Sequence, residues 1–401
     1  MAVSLLAAAA LSSWPPALAP SAAAAAAAPP QYSFASPRNV SFVRTLFGGG
    51  PAAPPQYSFA SPRNVSFVRT LFGGGPKFGY RDPTAPVFDG KFWHVWATRV
   101  VGTAGGYGGV VWHLYSEALD TDWKDGGLAI NRSTAGGGGW DSCGVFTPSV
   151  AWEGAGGAVV AAPLASSWFL FFGGVSHPQG PVYDESIGIA TSASPFGPWS
   201  KLAANPIITG RTPENVPWCD VDGPGPHPGV LHVDEAEPYV LRGQRRLYVK
   251  TICRNHTVLP SVFVPRDGSS WAPPYKYDAE IRQPVILPAV TPSGRGMEQA
   301  RLFLGPDGRL HLTAMAYDGF NPHFISADGH SGNDWVLVEK MVGWGGGIHE
   351  LTPVGPAGLG PDHWLGPPGV SGVPEFFIQF TGNPFRIDLL KVTWENRTLP
   401  S

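Results

Sequence analysis

Three carboxylates in this chain sit beside backbone signals that can aim them. Asp82 lies in Gly79-Tyr-Arg-Asp-Pro83, Glu237 in His232-Val-Asp-Glu-Ala-Glu-Pro238, and Glu298 in Gly294-Arg-Gly-Met-Glu-Gln-Ala-Arg301. Proline fixes its own φ and pushes the residue before it towards extended backbone, so Asp82 and Glu237 are expected to project from strand entrances. Hydrolysis of a glycosidic bond needs this kind of set. One carboxylate activates water or attacks, a second group protonates the leaving oxygen, and a third can tune the acid. Each residue also has a plainer reading: Asp82 as a turn aspartate, Glu237 as part of a solvated acidic loop with Asp234 and Glu235, and Glu298 as a surface partner of Arg301.

The elements that would hold these groups are short strands. The chain is 43% hydrophobic and only 14% charged, and its 52 Gly and 43 Pro are more than helix-rich domains tolerate. From Lys77 onward, aromatic and β-branched runs alternate with turns, as in Lys91-Phe-Trp-His-Val-Trp-Ala-Thr98, Ser167-Trp-Phe-Leu-Phe-Phe172 and Arg246-Leu-Tyr-Val-Lys-Thr-Ile252. No helical periodicity of comparable length competes with them. The expected class is all-β. Dipeptide landmarks recur at wide spacing at Asp82-Pro83, Thr147-Pro148, Glu237-Pro238 and, without Pro, Met297-Glu298. The 325 residues from Lys77 to Ser401 accommodate five blades of about 65 residues each, which predicts a five-bladed β-propeller with the dipeptides on its innermost strands.

Residues 1–28 form an Ala-rich leader that reads as a signal peptide, and no segment reaches the ~18 unbroken apolar residues of a membrane span. Residues 29–76 are dominated by a duplication: 27–51 and 52–76 are identical, so one copy is expected to be dispensable. Residues 77–401 are the expected propeller domain. Asn-x-Ser/Thr acceptors at Asn39, Asn64, Asn131, Asn255 and Asn396 also point to secretion. The three cysteines allow one bridge and one spare thiol, with no CxxC spacing. A net charge of −3 with no basic run argues against nucleic acid as a partner, and no membrane association is expected. No cofactor is implied. A divalent cation in a propeller channel stays open, although no two histidines show His-x-x-x-His spacing, and no metal ligand is assigned.

Four segments carry a resemblance: Arg81-Asp-Pro-Thr84, Asp89-Gly-Lys-Phe-Trp-His-Val-Trp-Ala-Thr-Arg99, Gly139-Trp-Asp141 leading to Gly144-Val-Phe-Thr-Pro148, and Ser186-Ile-Gly-Ile-Ala-Thr-Ser-Ala-Ser-Pro-Phe-Gly-Pro-Trp199. Together they resemble the blade motifs of glycoside hydrolase family 117, which is similar to the five-bladed families 43 and 32. The resemblance implies an α-1,3-3,6-anhydro-L-galactosidase type of activity on algal galactan oligosaccharides. It implies Asp82 as base, Glu298 as acid and Glu237 as modulator of the acid. Arg81, Thr147 and Met297 are the implied substrate contacts, with Trp96 and Trp140 as stacking platforms. Met297 replaces a family histidine and Glu237 a family aspartate, so two alternatives stay open beside the hydrolase: a carbohydrate-binding propeller without turnover, and family 43-like arabinanase or xylosidase specificity.

Overall fold

The structure is a computed structural model. It describes residues 56–58, 65–73, 78–101, 108–134, 139–160, 162–176, 185–210, 230–241, 243–253, 258–278, 297–304, 309–316, 320–326, 335–342, 351–353, 376–381, 386–392 and 395–397. The chain divides after Pro51, and every described residue belongs to the second unit, Ala52–Ser401. The leader and the first copy of the duplication lie outside the described residues.

Two strands come from the second copy: β1 (Gln56–Ser58) and β2 (Val65–Gly73). The first sheet holds β3 (Phe78–Arg81), β4 (Val87–Phe88), β5 (Trp93–Val101), β6 (Val110–Ser116) and β7 (Lys124–Ile130). The second holds β8 (Gly144–Glu153), β9 (Ser167–Val175), β10 (Ser186–Ser192), β11 (Ser200–Lys201) and β12 (Ile208–Thr209). The third is β13 (Val230–Leu241), β14 (Gln244–Cys253), β15 (Val258–Pro265) and β16 (Tyr275–Tyr277). The fourth is β17 (Met297–Leu304), β18 (Leu310–Ala316), β19 (Phe320–Ser326) and β20 (Trp335–Val342). The fifth joins β21 (Leu351–Pro353), β22 (Phe376–Thr381) and β23 (Arg386–Val392) to β2, while β24 (Glu395–Arg397) pairs with β1.

Every pairing is antiparallel, and the main path of each of the first four large sheets runs outward in chain order from one inner strand; the fifth runs β21, β22, β23 and is completed by β2 from the start of the chain. Neighbouring sheets pack face to face in sequence: β5 and β6 on β8, β8 and β9 on β13, β13 and β15 on β17, β17 on β21, and β23 on β3. The fold is an all-β propeller. Closure depends on β2, whose register runs from Val65 opposite Val392 to Gly73 opposite Arg386. The blade-forming chain therefore extends upstream of the boundary expected at Lys77.

The core follows from this layout. A sheet covered on both faces reads as a continuous buried run, and β8 is buried at all ten positions. Apolar clusters lie between sheets: Leu71, Tyr80, Ile387 and Leu389 between the fifth and first, and Tyr239, Tyr248, Met297 and Leu312 between the third and fourth. The Ser194-Pro-Phe-Gly-Pro-Trp199 turn clamps the second sheet to the first. Phe196 meets His94, His113 and Tyr115 edge-on at 4.9–5.3 Å, and Trp199 meets Trp96 at 5.8 Å and 90°. Cys253 is disulfide-bonded and Cys143 carries a free thiol.

Candidate active site

Besides a shift between Val230 and His232 on β13, the pairing of each of the first four inner strands is interrupted at one of the four non-glycine residues of positive φ among the described residues. These are Asp82 (φ 49°), Thr147 (φ 47°), Glu235 (φ 52°) and Gln299 (φ 54°). The register shifts fall between Phe146 and Ser149, Asp234 and Ala236, and Glu298 and Arg301. In the first sheet β3 stops at Arg81, and pairing resumes through Thr84 N donating to Trp96 O at 2.8 Å. Left-handed backbone at a non-glycine residue costs on the order of 1–3 kcal/mol, and more for a β-branched residue such as Thr147. The expectation that Pro83 keeps Asp82 extended is therefore overturned. The bulge, imposed by sheet and neighbours, overrides the local preference and turns the side chain towards the adjacent blades.

The four side chains join a closed circuit of hydrogen bonds. Asp82 Oδ2 accepts from Arg81 Nε at 2.6 Å and from Thr98 Oγ1 at 3.2 Å. Thr98 Oγ1 accepts from Thr147 N at 2.9 Å, and Thr147 Oγ1 donates to Asp234 Oδ1 at 2.8 Å. Lys250 Nζ lies 3.1 Å from Asp234 Oδ2 and donates to Glu235 Oε1 at 2.6 Å. Glu235 Oε2 accepts from Gln299 N at 2.6 Å, and Gln299 Nε2 returns to Asp82 Oδ1 at 3.0 Å. Three carboxylates and two cations thus share one ring across four sheets. For Arg81, burial works to lower the pKa, but the charges of Asp82, Glu235 and Asp234 outweigh it and hold the guanidinium above its ordinary value.

The second strands supply the other half of the ring. Register places Thr98 opposite Arg81, Gly173 opposite Phe146 and Lys250 opposite Asp234. Gly173 leaves the room that Asp234 occupies: a Cβ there would stand 2.3 Å from Asp234 Oδ1 and 3.0 Å from Thr147 Oγ1.

Two residues past each bulge lies a second tier. Glu237 Oε2 accepts from Arg301 Nη1 at 2.6 Å, and Arg301 Nη2 donates to Pro83 O at 3.2 Å. Burial raises the Glu237 pKa, with the charge and hydrogen bond of Arg301 opposing it. Glu237 is therefore one half of a buried inter-blade ion pair, and the β13 carboxylates in the ring are Asp234 and Glu235.

The other expected site residues separate in the same way. Asp82, Arg81 and Thr147 meet in the ring. Glu298 occupies a β17 position opposite Met315, and its side chain lies outside the described residues. Met297 is fully buried among Tyr239, Tyr248 and Leu302, which makes it core and not a substrate contact. Trp96 is also fully buried, stacked on His113 at 5.1 Å. Trp140 is half-buried and stacks on Phe172 at 5.7 Å, over Gly174 and Gly188, so it packs the second sheet. Trp96 fills the space between the first and second sheets, against Trp168 and Trp199, and Trp140 covers one face of the second; large aromatic faces bury much apolar area in both places.

Sequence reasoning missed Thr98, Asp234, Glu235, Lys250 and Gln299. The carboxylate-Pro cue slipped the third blade by two residues. A better signal was a polar residue followed by Pro or Ala, as in Asp82-Pro83, Thr147-Pro148, Glu235-Ala236 and Gln299-Ala300. Among the described residues no group of three or more His, Cys, Asp or Glu side chains is arranged to hold a metal ion, and no helix is long and apolar enough to cross a membrane.

Particular solved structures share the propeller class established by these sheets. A family 117 glycoside hydrolase from the marine bacterium Zobellia galactanivorans superposes with a TM-score of 0.57 at 14% identity, covering 84% of this chain and 90% of that one. An endo-arabinase from Bacteroides thetaiotaomicron gives 0.51 at 14% identity, covering 82% and 97%. A family 43 arabinoxylan arabinofuranohydrolase from Bacillus subtilis gives 0.50 at 13%, covering 78% and 63%. At these identities the likeness is one of fold. No family model matches the chain, and no curated protein matches it.

Proposed function

We propose that the chain is a secreted, five-bladed propeller glycosidase that removes a terminal sugar from an oligo- or polysaccharide by water attack, with Asp82 as base and Glu235 as acid. The five large sheets, packed in sequence and closed by β2, support the blade number. The observation that carries the function is the ring itself: carboxylates from the first and third sheets are brought together on strained bulges, the placement expected of groups positioned for chemistry. Asp82 accepts three hydrogen bonds through two oxygens fixed from both sides, so its orientation towards a water is set before substrate arrives. Glu235, on another blade, can face the leaving oxygen. Asp234 and Lys250 hold its carboxylate in place, the part first expected of Glu237. The similar solved structures, one named as a family 117 glycoside hydrolase and one as an endo-arabinase, support the same class.

A disulfide at Cys253 and an exposed acceptor at Asn131 support the secretory reading. One observation favours a second reading, a carbohydrate-binding propeller without turnover. An acid must enter the step carrying its proton, yet both oxygens of Glu235 already accept hydrogen bonds, from Lys250 and from the Gln299 amide. Incubation with oligosaccharides from galactans, arabinans and xylans, followed by product analysis, separates the two. Release of a terminal sugar that is abolished in Asp82→Asn supports the hydrolase, and saturable binding without release supports the second reading.

A further inference from the structure

We propose that Arg81 is the specificity residue of the axial ring, its two terminal guanidinium nitrogens gripping two neighbouring oxygens of an uncharged sugar ring seated over Asp82. The proposal rests on the glycosidase reading above. Guanidinium carries five N–H donors in a rigid fork. Arg81 uses only Nε, on Asp82 Oδ2 at 2.6 Å, and has no other hydrogen bond or ion pair among the described residues. That single bond fixes the plane of the group, while its side chain stays 25% exposed. The other donors of the ring are committed: Lys250 is shared between Asp234 and Glu235, and the hydroxyls of Thr98 and Thr147 each donate to a carboxylate. Besides the second N–H of the Gln299 amide, the side-chain donors left over in the ring among the described residues are those of Arg81 Nη1 and Nη2.

The surroundings of Asp82 fix the chemistry of what is gripped. Gln299 turns its Nε2 to Asp82 Oδ1, an orientation forced by the carboxylate, since the flipped amide would set oxygen against oxygen. Its Oε1 is then left enclosed, with no hydrogen-bond partner among the described residues. That acceptor is shut away from a ligand, so the polar capacity open beside Asp82 is that of the Arg81 donors. A hydroxylated ring can accept from them without bringing charge. A carboxylate or sulfate only accepts, and it would add a further negative charge beside Asp82, Asp234 and Glu235.

The test compares wild type with Arg81→Lys, which keeps a positive charge beside Asp82 but removes the fork. Substrates are aryl glycosides of neutral pentoses and hexoses, an aryl glucuronide, and the monodeoxy derivatives of the best neutral substrate. The expected result is a KM raised about 10- to 100-fold with kcat changed less than about threefold and an unmoved acidic limb of the pH profile. In wild type, loss of either of two adjacent hydroxyls lowers kcat/KM at least about tenfold, and in Arg81→Lys the same losses shrink below about threefold. Equal deoxy penalties in both proteins overturn the proposal, as does preference for the glucuronide, or a collapse of kcat with a shifted limb, which would mean that Arg81 only tunes Asp82. If Arg81→Lys does not fold, the wild-type deoxy series decides, and absence of an adjacent sensitive pair overturns the assignment. If Asp82→Asn abolishes turnover while these comparisons fail, only the role of Arg81 falls. If wild type neither binds nor cleaves any glycoside, the glycosidase reading falls and takes this one with it.

Discussion

Glu235 and Glu237 stand two residues apart on one strand, and both are enclosed, acidic and linked to the fourth sheet, yet they belong to different kinds of site. Glu235 sits on a bulge at φ 52°, within a ring whose Arg81 retains free donors. Glu237 sits past the bulge, where Arg301 takes its carboxylate and caps Pro83 O with another nitrogen. The first arrangement leaves polar capacity for a ligand. The second leaves Glu237 its charge partner and ties the third and fourth sheets to the first. Position relative to the bulge, and not residue type, separates the ring from the ion pair beside it.

Neutralising each glutamate in turn should have the largest effect. Glu235→Gln is expected to lower kcat by about 10²- to 10⁴-fold with little change in unfolding temperature, measured on whichever glycoside is cleaved. Glu237→Gln is expected to act the other way. Breaking a buried ion pair costs about 3–5 kcal/mol of stability, read in urea unfolding, while the protein that remains folded keeps its kcat. Replacing both partners, Glu237→Gln with Arg301→Met, should cost less than the sum of the single changes because no charge is left stranded. The reverse outcome, with Glu237 governing turnover and Glu235 governing stability, would invert the assignment.

A smaller effect tests the ring through a neighbour that carries no functional group. Gly173→Ala puts a methyl where Asp234 Oδ1 stands, 2.3 Å away, so the carboxylate must move. A shift of about 1 Å in a positioned group costs on the order of 100-fold in rate. The expected result is lost kcat/KM with circular dichroism unchanged, and unchanged activity would show that Asp234 has no part in positioning.

The smallest effect lies away from both tiers. His94 Nε2 faces Asp89 Oδ2 at 3.0 Å, and its Nδ1 meets His113 Nε2 at 2.9 Å. Burial, with the neighbouring His94, lowers the His113 pKa to about 3. The folded state therefore binds fewer protons than the unfolded chain below the ordinary histidine value. The contribution is present above pH ~6.5 and is lost as pH falls towards the folded value. Urea midpoints should decline across that window in wild type and less so in His113→Gln.

Much of this was legible beforehand. Alternating aromatic runs between Gly and Pro turns give strands, and their even spacing gives sheets with shared cores, as Phe171, Trp168 and Val95 show by their full burial. Arg81, Asp82 and Thr147 were legible too, because a proline follows each of the two bulge residues. Lys250 and Thr98 were not. Each is an ordinary polar residue inside a β-run, and only antiparallel register sets it opposite the residue that precedes a bulge.

Local chemistry along the chain set the elements, the class and one corner of the ring, since propensity, periodicity and turn chemistry act over a few residues. Tertiary structure alone decided which of the acids in Asp234-Glu-Ala-Glu237 enters the ring. That choice depends on where a bulge shifts the strand, and the shift is set by packing between blades that are distant in the chain.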